Sequence, residues 1–166
     1  RPGGQRQLDT AYFDRMAAVD FAVRHDDGLN MGELHDADIL LVGVSRTSKT
    51  PTSMYLAHRG YKVANYALVP GVPFPAHYID RLKLFVVGLT NDPKRLSVGR
   101  KTRQIAQSDE SKVTYTDLER ITEEVRDARR LFARNQWPVI DVTRRSVEET
   151  AAAVIQLYTN WQEENA

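Results

Sequence analysis

The sequence of 166 residues contains no cysteine, which excludes disulfides, thiolate catalysis and cysteine-ligated metals. It also lacks an excess of either charge, with 23 basic and 22 acidic side chains and a formal net charge of +1. This balance gives no overall attraction to nucleic acid or to an anionic membrane surface. No apolar run is long enough to span a bilayer, and the first residues do not have the pattern of a secretory signal. We therefore expect neither a nucleic-acid partner nor a membrane partner.

The residues that are present have the composition of an ordinary globular domain, with 42% hydrophobic and 27% charged side chains. Residues 1–8 open with Arg-Pro-Gly-Gly and contain no methionine, so we interpret them as a linker or a cut end. Residues 9–166 are close to the usual size of one domain. We expect this part of the chain to form a single folded unit.

Apolar runs alternate with segments of helical periodicity, which predicts an α/β fold with a mostly parallel sheet. The apolar runs are nearly continuous, as in strands that are buried on both faces. The predicted strands are 38–44, 62–69, 84–89 and 139–142, and the predicted helices are 9–24, 50–59, 92–106, 116–134 and a last one after residue 146. Ligands of such sheets bind at the carboxyl ends of the strands, so the loops at these ends should carry the chemistry.

Three local patterns predict details of the helices. In the first helix, apolar side chains at helical spacing predict the buried face, and they are Tyr12, Met16, Val19 and Val23. Gly60 is the expected end of the second helix, because glycine favours the left-handed conformation found there. Ser146, with Glu149 three residues later, forms a capping box for the last helix.

The segment from Gly43 to Thr50 has the spacing of a phosphate-binding loop, G-x-x-x-x-G-K-[ST], with Ser48 in place of the second glycine. In such a loop, backbone N–H groups surround a phosphate, Lys49 reaches the terminal phosphates, and the Thr50 hydroxyl binds Mg²⁺. Glycine would allow a positive φ at position 48, so serine is a demanding replacement. A polar loop that ends in a helix cap is the alternative. The residues predicted to bind the nucleotide are Gly43, Val44, Ser45, Arg46, Thr47, Ser48, Lys49 and Thr50.

Three arginines are further candidates for phosphate contact, because a guanidinium group matches phosphate oxygens in a bidentate manner. Arg46 lies in the loop and could reach a transferred phosphoryl group. Arg100 and Arg103 are three residues apart on a predicted helix and therefore share a face, where they could clamp the moving phosphate. A surface arginine at position 46 and a solvated basic face at 100 and 103 are the plain alternatives.

A second candidate site is the segment His25-Asp26-Asp27-Gly28. Phosphoryl transfer requires a group that orients or deprotonates the attacking hydroxyl and an acid that holds the metal. Two carboxylates that converge at a turn could do both. An Asp-Asp-Gly turn at the end of a helix is the alternative, and by residue type alone it is the commoner case. Asn65, after the second predicted helix, could approach the nucleotide or a protein partner, or lie on the surface.

Residues 37–57 closely resemble the signature of the bifunctional kinase/pyrophosphorylase family that regulates pyruvate, phosphate dikinase and phosphoenolpyruvate synthase. The resemblance extends over roughly residues 9–158, includes the serine at position 48, and lacks the N-terminal region of the family. Other residues that agree in order and spacing are 21–28, 60–65, 87–90, Leu96, Arg100, Arg103, 140–143, Ser146, Glu148 and Glu149. The family implies a P-loop kinase-like three-layer fold.

The resemblance implies an unusual reaction. The family uses ADP to phosphorylate a threonine of its target enzyme, releases AMP, and removes the phosphoryl group with inorganic phosphate to give pyrophosphate. It implies a catalytic role for Asp26 or Asp27, with Lys49, Arg46 and His25 as further candidates. Mg²⁺ would be held by Thr50, Asp26 and Asp27, while His25 would either polarise a neighbour or cap the helix.

The same resemblance implies a protein partner, either pyruvate, phosphate dikinase or phosphoenolpyruvate synthase, and a homodimer. A bacterial cytoplasm is the first expectation for its location, and a plastid stroma is the alternative. Two other functions fit the motifs. One is an ordinary ATP-dependent small-molecule P-loop kinase, and the other is a nucleotide-sensing regulator that acts by contact alone.

Overall fold

The computed structural model describes residues 2–98 and 115–166, and the side chains of residues 10–98 and 117–166. The first half of this part contains helix α1, two 3₁₀ turns, and the first two strands with the helix between them. Their bounds are α1 Pro2–Arg24, the turns Asp26–Gly28 and Met31–Asp36, β1 Ile39–Val44, α2 Lys49–Ala57 and β2 Val63–Leu68. The second half contains α3 Ala76–Leu82, β3 Phe85–Thr90, α4 at residues 93–98, α5 Tyr115–Arg134, β4 Val139–Asp141 and α6 Val147–Glu164.

The four strands form one sheet in the order β2-β1-β3-β4, and every neighbouring pair is parallel. All residues of β1 and β3 are buried, because helices cover both faces of the sheet. One apolar layer packs against α3 and α5, and the other packs against α2 and α6. The expected α/β fold with three layers is confirmed. The parallel arrangement brings the carboxyl ends of all four strands to the same edge of the sheet.

The contact between β3 and α5 depends on a residue without a side chain. A Cβ atom added at Gly88 would lie 2.5 Å from Cδ2 of Phe132. The Phe132 ring is fully buried, so it has no space to withdraw. Glycine at this position lets the ring rest directly on the strand, which fixes the distance of α5 from the sheet.

The buried face of α1 differs from the predicted one. Tyr12, Met16 and Val23 are exposed by 53%, 49% and 58%, whereas Ala18 and Ala22 are buried against α2. The alanines let two helices approach closely, and large apolar side chains on that face would hold them apart. The prediction was wrong for Tyr12, Met16 and Val23, because it weighted side-chain hydrophobicity and ignored size. Val19 is partly buried and packs against the alanines as predicted.

Two further features were not expected from the sequence, namely where α1 begins and the presence of α3. Helix α1 begins at Pro2, although residues 1–8 were interpreted as a linker or cut end, an interpretation that stays a prediction. Helix α3 was not predicted. It has seven residues, and Ile79 is the one it buries, so its periodicity is too weak to detect in the sequence. The Tyr78 hydroxyl donates to the Met31 carbonyl at 2.6 Å and ties α3 to the second 3₁₀ turn.

The predicted helix signals at Gly60 and Ser146 are confirmed. Gly60 has a φ of +93°, and its N–H donates to the Ala57 carbonyl while the Tyr61 N–H donates to that of Leu56. This pair of bonds is the Schellman arrangement that ends many helices. At α6, the Ser146 hydroxyl oxygen accepts the Glu149 N–H at 3.1 Å, as a capping box requires.

Candidate functional site

The loop between β1 and α2 takes up the backbone shape that a phosphate-binding loop needs. Arg46 and Ser48 both have positive φ angles, of 69° and 64°. The left-handed conformation costs an L-residue roughly 1 kcal/mol. Position 48 therefore has the positive φ that the motif requires, and serine adopts it at a cost in backbone strain. Such a conformation turns successive N–H groups toward a common centre.

Gly43 lets this loop pack against the end of β3. A Cβ atom at position 43 would lie 2.7 Å from the Leu89 carbonyl oxygen and 2.7 Å from the Thr47 hydroxyl oxygen. Both distances are shorter than real carbon contacts allow. The first glycine of the motif is thus required for packing between the loop and the neighbouring strand, a role that its spacing alone did not reveal.

The carbonyl oxygen of Val44 fixes the inner side of the loop. It accepts the Thr47 hydroxyl at 2.9 Å and the Lys49 ammonium at 2.7 Å. The Lys49 ammonium also donates to the Thr47 oxygen at 3.3 Å. Thr47 is completely buried, so its side chain supports the loop from beneath. The last residue of β1 therefore holds the base of the loop and the lysine together.

The segment that carries the two aspartates lies against the first turn of α2. The Thr50 hydroxyl donates to Oδ1 of Asp26 at 2.8 Å. The same oxygen accepts the Asn65 amide nitrogen at 2.7 Å, and the Asn65 amide oxygen accepts the Asp27 N–H at 3.0 Å. The structure thus brings together two motifs that are more than twenty positions apart in the sequence.

The two aspartates have different surroundings. Asp26 is half-buried and engaged by two donors, while Asp27 is exposed and has a φ of 49°. Asp27 lines the cavity over the phosphate loop. Asp26 is not among the residues that line this cavity, and it contacts Thr50. The convergence of the two carboxylates stays a prediction.

His25 is placed behind the site. Its ring is fully buried and stacks on Phe21, with ring centres 3.8 Å apart. The Nδ1 atom lies 2.8 Å from the Phe21 carbonyl oxygen, and because a carbonyl only accepts, Nδ1 carries the hydrogen. The bond satisfies a carbonyl in the last turn of α1. This placement favours the helix-capping alternative over a catalytic one.

These elements enclose a cavity of about 420 Å³ above the start of α2. It combines an ammonium, a guanidinium, hydroxyls and one carboxylate with the positive end of a helix dipole. The cavity is lined by Asp27, Ser45, Arg46, Ser48, Lys49, Thr50, Pro51 and Ala67. The Thr50 hydroxyl donates its hydrogen to Asp26, so its lone pairs can coordinate a cation. The donor set fits a phosphate group with Mg²⁺.

A separate polar cluster lies at the ends of β3 and β4. Burial acts to raise the pKa of Asp141, but hydrogen bonds from the Thr143 side chain and backbone, with Arg129 and Arg145 nearby, hold that pKa below its ordinary value. Asp141 therefore stabilises the turn at Thr143. Asp92 follows β3 by two residues, and its carboxylate accepts the Lys94 N–H and caps α4.

The described residues account for part of the predicted site. Ser45, Arg46, Ser48, Lys49, Thr50 and Asp27 lie on the cavity, whereas Gly43, Val44 and Thr47 shape the loop beneath it. Arg100 and Arg103 lie outside the described residues, so their role as a phosphate clamp stays a prediction. No helix in the described parts of the chain has both the length and the apolar character that crossing a membrane requires.

Asn65 belongs to the hydrogen-bond network around the site. Of the alternatives weighed for it, a surface position is wrong, because it is 1% exposed and bonds to both aspartates. One signal was available, because an amide within the apolar run of β2 would have to find partners when buried. That signal could not tell which partners it finds.

Comparison with known proteins decides the family. A sequence profile described as kinase/pyrophosphorylase matches residues 1–155. The chain belongs to the kinase/pyrophosphorylase family. Proteins named pyruvate, phosphate dikinase regulatory protein are 53% identical over 158 residues in Erythrobacter litoralis and 55% identical over 157 residues in Paramagnetospirillum magneticum. A protein of that name from Bradyrhizobium diazoefficiens is 49% identical over 163 residues.

These kinase/pyrophosphorylase relatives are longer than the chain. The matches cover 95%, 95% and 98% of this chain, but 57%, 50% and 58% of the relatives. The chain therefore spans between half and three fifths of the length of these curated relatives. The phosphate loop and the aspartate segment both fall within the part that the family profile covers.

Proposed function

We propose that this chain carries the nucleotide-binding and phosphoryl-transfer site of a regulatory kinase/pyrophosphorylase acting on pyruvate, phosphate dikinase or phosphoenolpyruvate synthase. The observation that carries the proposal is a cavity lined by Lys49 and Thr50 of a strained phosphate loop and by Asp27. Membership of the family and the names of the relatives support the same conclusion. The nucleotide substrate we propose is ADP, with inorganic phosphate as the substrate of the reverse regulation.

Each cavity residue has a proposed role. Lys49 neutralises phosphate charge, and Arg46 at the exposed side binds the transferred phosphoryl group through its two parallel donors. Thr50 holds Mg²⁺, which when bound supplies further charge neutralisation. Asp27 accepts the proton of the attacking hydroxyl, because it is the carboxylate that lines the cavity. Asp26 orients Thr50 through the bond of 2.8 Å.

The proposed forward step balances as a simple displacement. The target threonine oxygen forms a bond to the β-phosphorus of ADP, the bond to the bridging oxygen breaks, and AMP leaves with that oxygen. The hydroxyl proton passes to Asp27. In the opposite regulation, an oxygen of inorganic phosphate forms a bond to the phosphothreonine phosphorus, and the bond from that phosphorus to the threonine oxygen breaks. The proton of the attacking phosphate passes through Asp27 to the threonine oxygen, and pyrophosphate is released. In both directions, the protein positions the groups and neutralises charge.

The test is the thermal stability of the chain with Mg²⁺ and ADP, ATP, AMP or inorganic phosphate. A ligand that binds the folded state raises the apparent stability. We expect stabilisation by ADP over ATP. Lys49→Ala should weaken ADP binding by at least about tenfold, because a hydrogen bond to a charged group contributes roughly 1.5–3 kcal/mol. Lys62→Ala is the matched control, since Lys62 precedes β2 at the opposite edge of the sheet.

Other outcomes would redirect the proposal. Stabilisation by ATP alone would favour the ordinary small-molecule kinase. An unchanged ADP effect in Lys49→Ala would remove the lysine from the site. With a target enzyme present, Asp27→Asn should stop transfer of phosphate while ADP still stabilises the protein. Regulation that persists in Asp27→Asn without any transfer would instead favour a regulator that acts by contact.

A further inference from the structure

Asn65 lies in the middle of β2, and its side chain directs both of its polar atoms to the aspartate segment. Its Oδ1 accepts the Asp27 N–H at 3.0 Å, and its Nδ2 donates to Oδ1 of Asp26 at 2.7 Å. Its backbone N–H donates to the His25 carbonyl at 3.2 Å. One strand residue therefore fixes three consecutive residues of the turn.

The bond to Asp26 continues into the cavity. The oxygen of Asp26 that accepts Asn65 also accepts the Thr50 hydroxyl at 2.8 Å. Thr50 lies in the first turn of α2 and lines the cavity. A chain of hydrogen bonds thus runs from the sheet through Asp26 to the residue proposed to hold Mg²⁺. Because Asn65 is 1% exposed, water does not compete for its amide.

We propose that Asn65 is a positioning residue for phosphoryl transfer. It holds Asp26 where Asp26 can orient the Thr50 hydroxyl, and it holds the Asp27 backbone so that the Asp27 carboxylate faces the cavity. The part that concerns nucleotide and Mg²⁺ rests on the function proposed above. An amide suits this place because it supplies a donor for Asp26 and an acceptor for Asp27. Aspartate would supply only acceptors, and an apolar residue neither.

The positioning itself is tested without any ligand, by hydrogen exchange of backbone amides. Asn65→Ala removes the two hydrogen bonds to the aspartate segment, of roughly 1 kcal/mol each, together with the longer bond to Ser53. Exchange at residues 25–29 should therefore rise at least about tenfold. Amides of β1 should stay protected. Ser53→Ala is the matched control, because the Ser53 hydroxyl receives the same Nδ2 at 3.3 Å and is not bonded to Asp26. Unchanged exchange at residues 25–29, or an equal rise across β1 and β2, would overturn the proposal.

The consequence for the site is tested by the Mg²⁺ concentration that gives half-maximal stabilisation by ADP. It should rise at least about tenfold in Asn65→Ala and in Asp26→Ala, and the double variant should match Asp26→Ala alone. Additive shifts would show that Asn65 does not act through Asp26 and would overturn the proposal. If the wild-type chain shows no response to Mg²⁺ and ADP while exchange rises as expected, the proposed function fails and the positioning of residues 25–27 stands.

Asn65→Asp separates the two bonds of the side chain. It keeps an acceptor for the Asp27 N–H but loses the donor to Asp26, so exchange at Asp27 should remain slow while the Mg²⁺ requirement increases. This variant also tests the proposal if Asn65→Ala does not fold. Failure of both variants to fold would make Asn65 a purely structural residue and would overturn the proposal.

Discussion

At the scale of single residues, the phosphate loop shows how a departure from a motif is accommodated. Ser48 keeps the φ of 64° that the motif reserves for glycine. The conformation is maintained by its surroundings, because Val44 holds Thr47 and Lys49 on either side of it. The sequence identified the unusual residue, but the strain became visible only from the backbone.

Ser48→Gly should stabilise the protein by up to about 1 kcal/mol, because glycine removes the left-handed strain. The gain is limited by the greater freedom of glycine in the unfolded chain. Urea unfolding measures the difference. Ser48→Ala keeps the Cβ atom and should show no gain. Destabilisation by both variants would mean that the serine hydroxyl contributes more than the strain costs.

Asp141 gives a residue-scale dependence on pH. Its pKa is lower in the folded state, so its contribution to stability is present above the unfolded pKa and is lost as the pH falls through the folded pKa. Thr143→Val removes the side-chain donor and should raise the Asp141 pKa toward its ordinary value. The acid-side loss of stability should then begin at a higher pH.

Carboxyl NMR titration of Asp141, with urea unfolding over a pH series, checks this expectation. Thr143→Ser keeps the hydroxyl and should behave like the wild type. If Thr143→Val leaves the Asp141 titration unchanged, the side-chain bond is not what holds the pKa down.

At the scale of elements, helix ends were predicted well and the buried face of α1 poorly. A cap depends on two or three neighbouring residues, so Gly60 and Ser146 could be identified locally. A buried face depends on the element that packs against it. The alanines of α1 are buried because they pack against Ala57 of α2. Helix α3 was missed because it buries one residue.

The cap of α6 leads to a quantitative expectation. Ser146→Ala leaves the Glu149 N–H without its side-chain acceptor and should cost about 1 kcal/mol of stability. Chemical denaturation measures this cost, provided that the slope of the unfolding free energy against denaturant concentration is the same in both proteins. Ser146→Asp restores an acceptor and should recover most of the loss. Equal stability of the alanine and aspartate variants would exclude the capping bond as the cause.

At the scale of the whole molecule, the sequence predicted the sheet, and it put the candidate phosphate loop at the carboxyl end of β1. Both follow from local signals, since continuous apolar runs indicate buried parallel strands and ligands bind at their carboxyl ends. The division of labour between Asp26 and Asp27 could not be predicted, because it depends on Asn65 and Thr50, which approach from two other elements. The expected homodimer stays a prediction.

The contact of Phe132 with Gly88 has a consequence for how this fold can diverge. Any side chain at position 88 would meet the ring at 2.5 Å, so an ancestor could not have changed that position alone without moving α5. A change from glycine to alanine at position 88 would have to follow, or occur together with, a change to a smaller residue at position 132. Among distant members of the family, the two positions should therefore change as a pair.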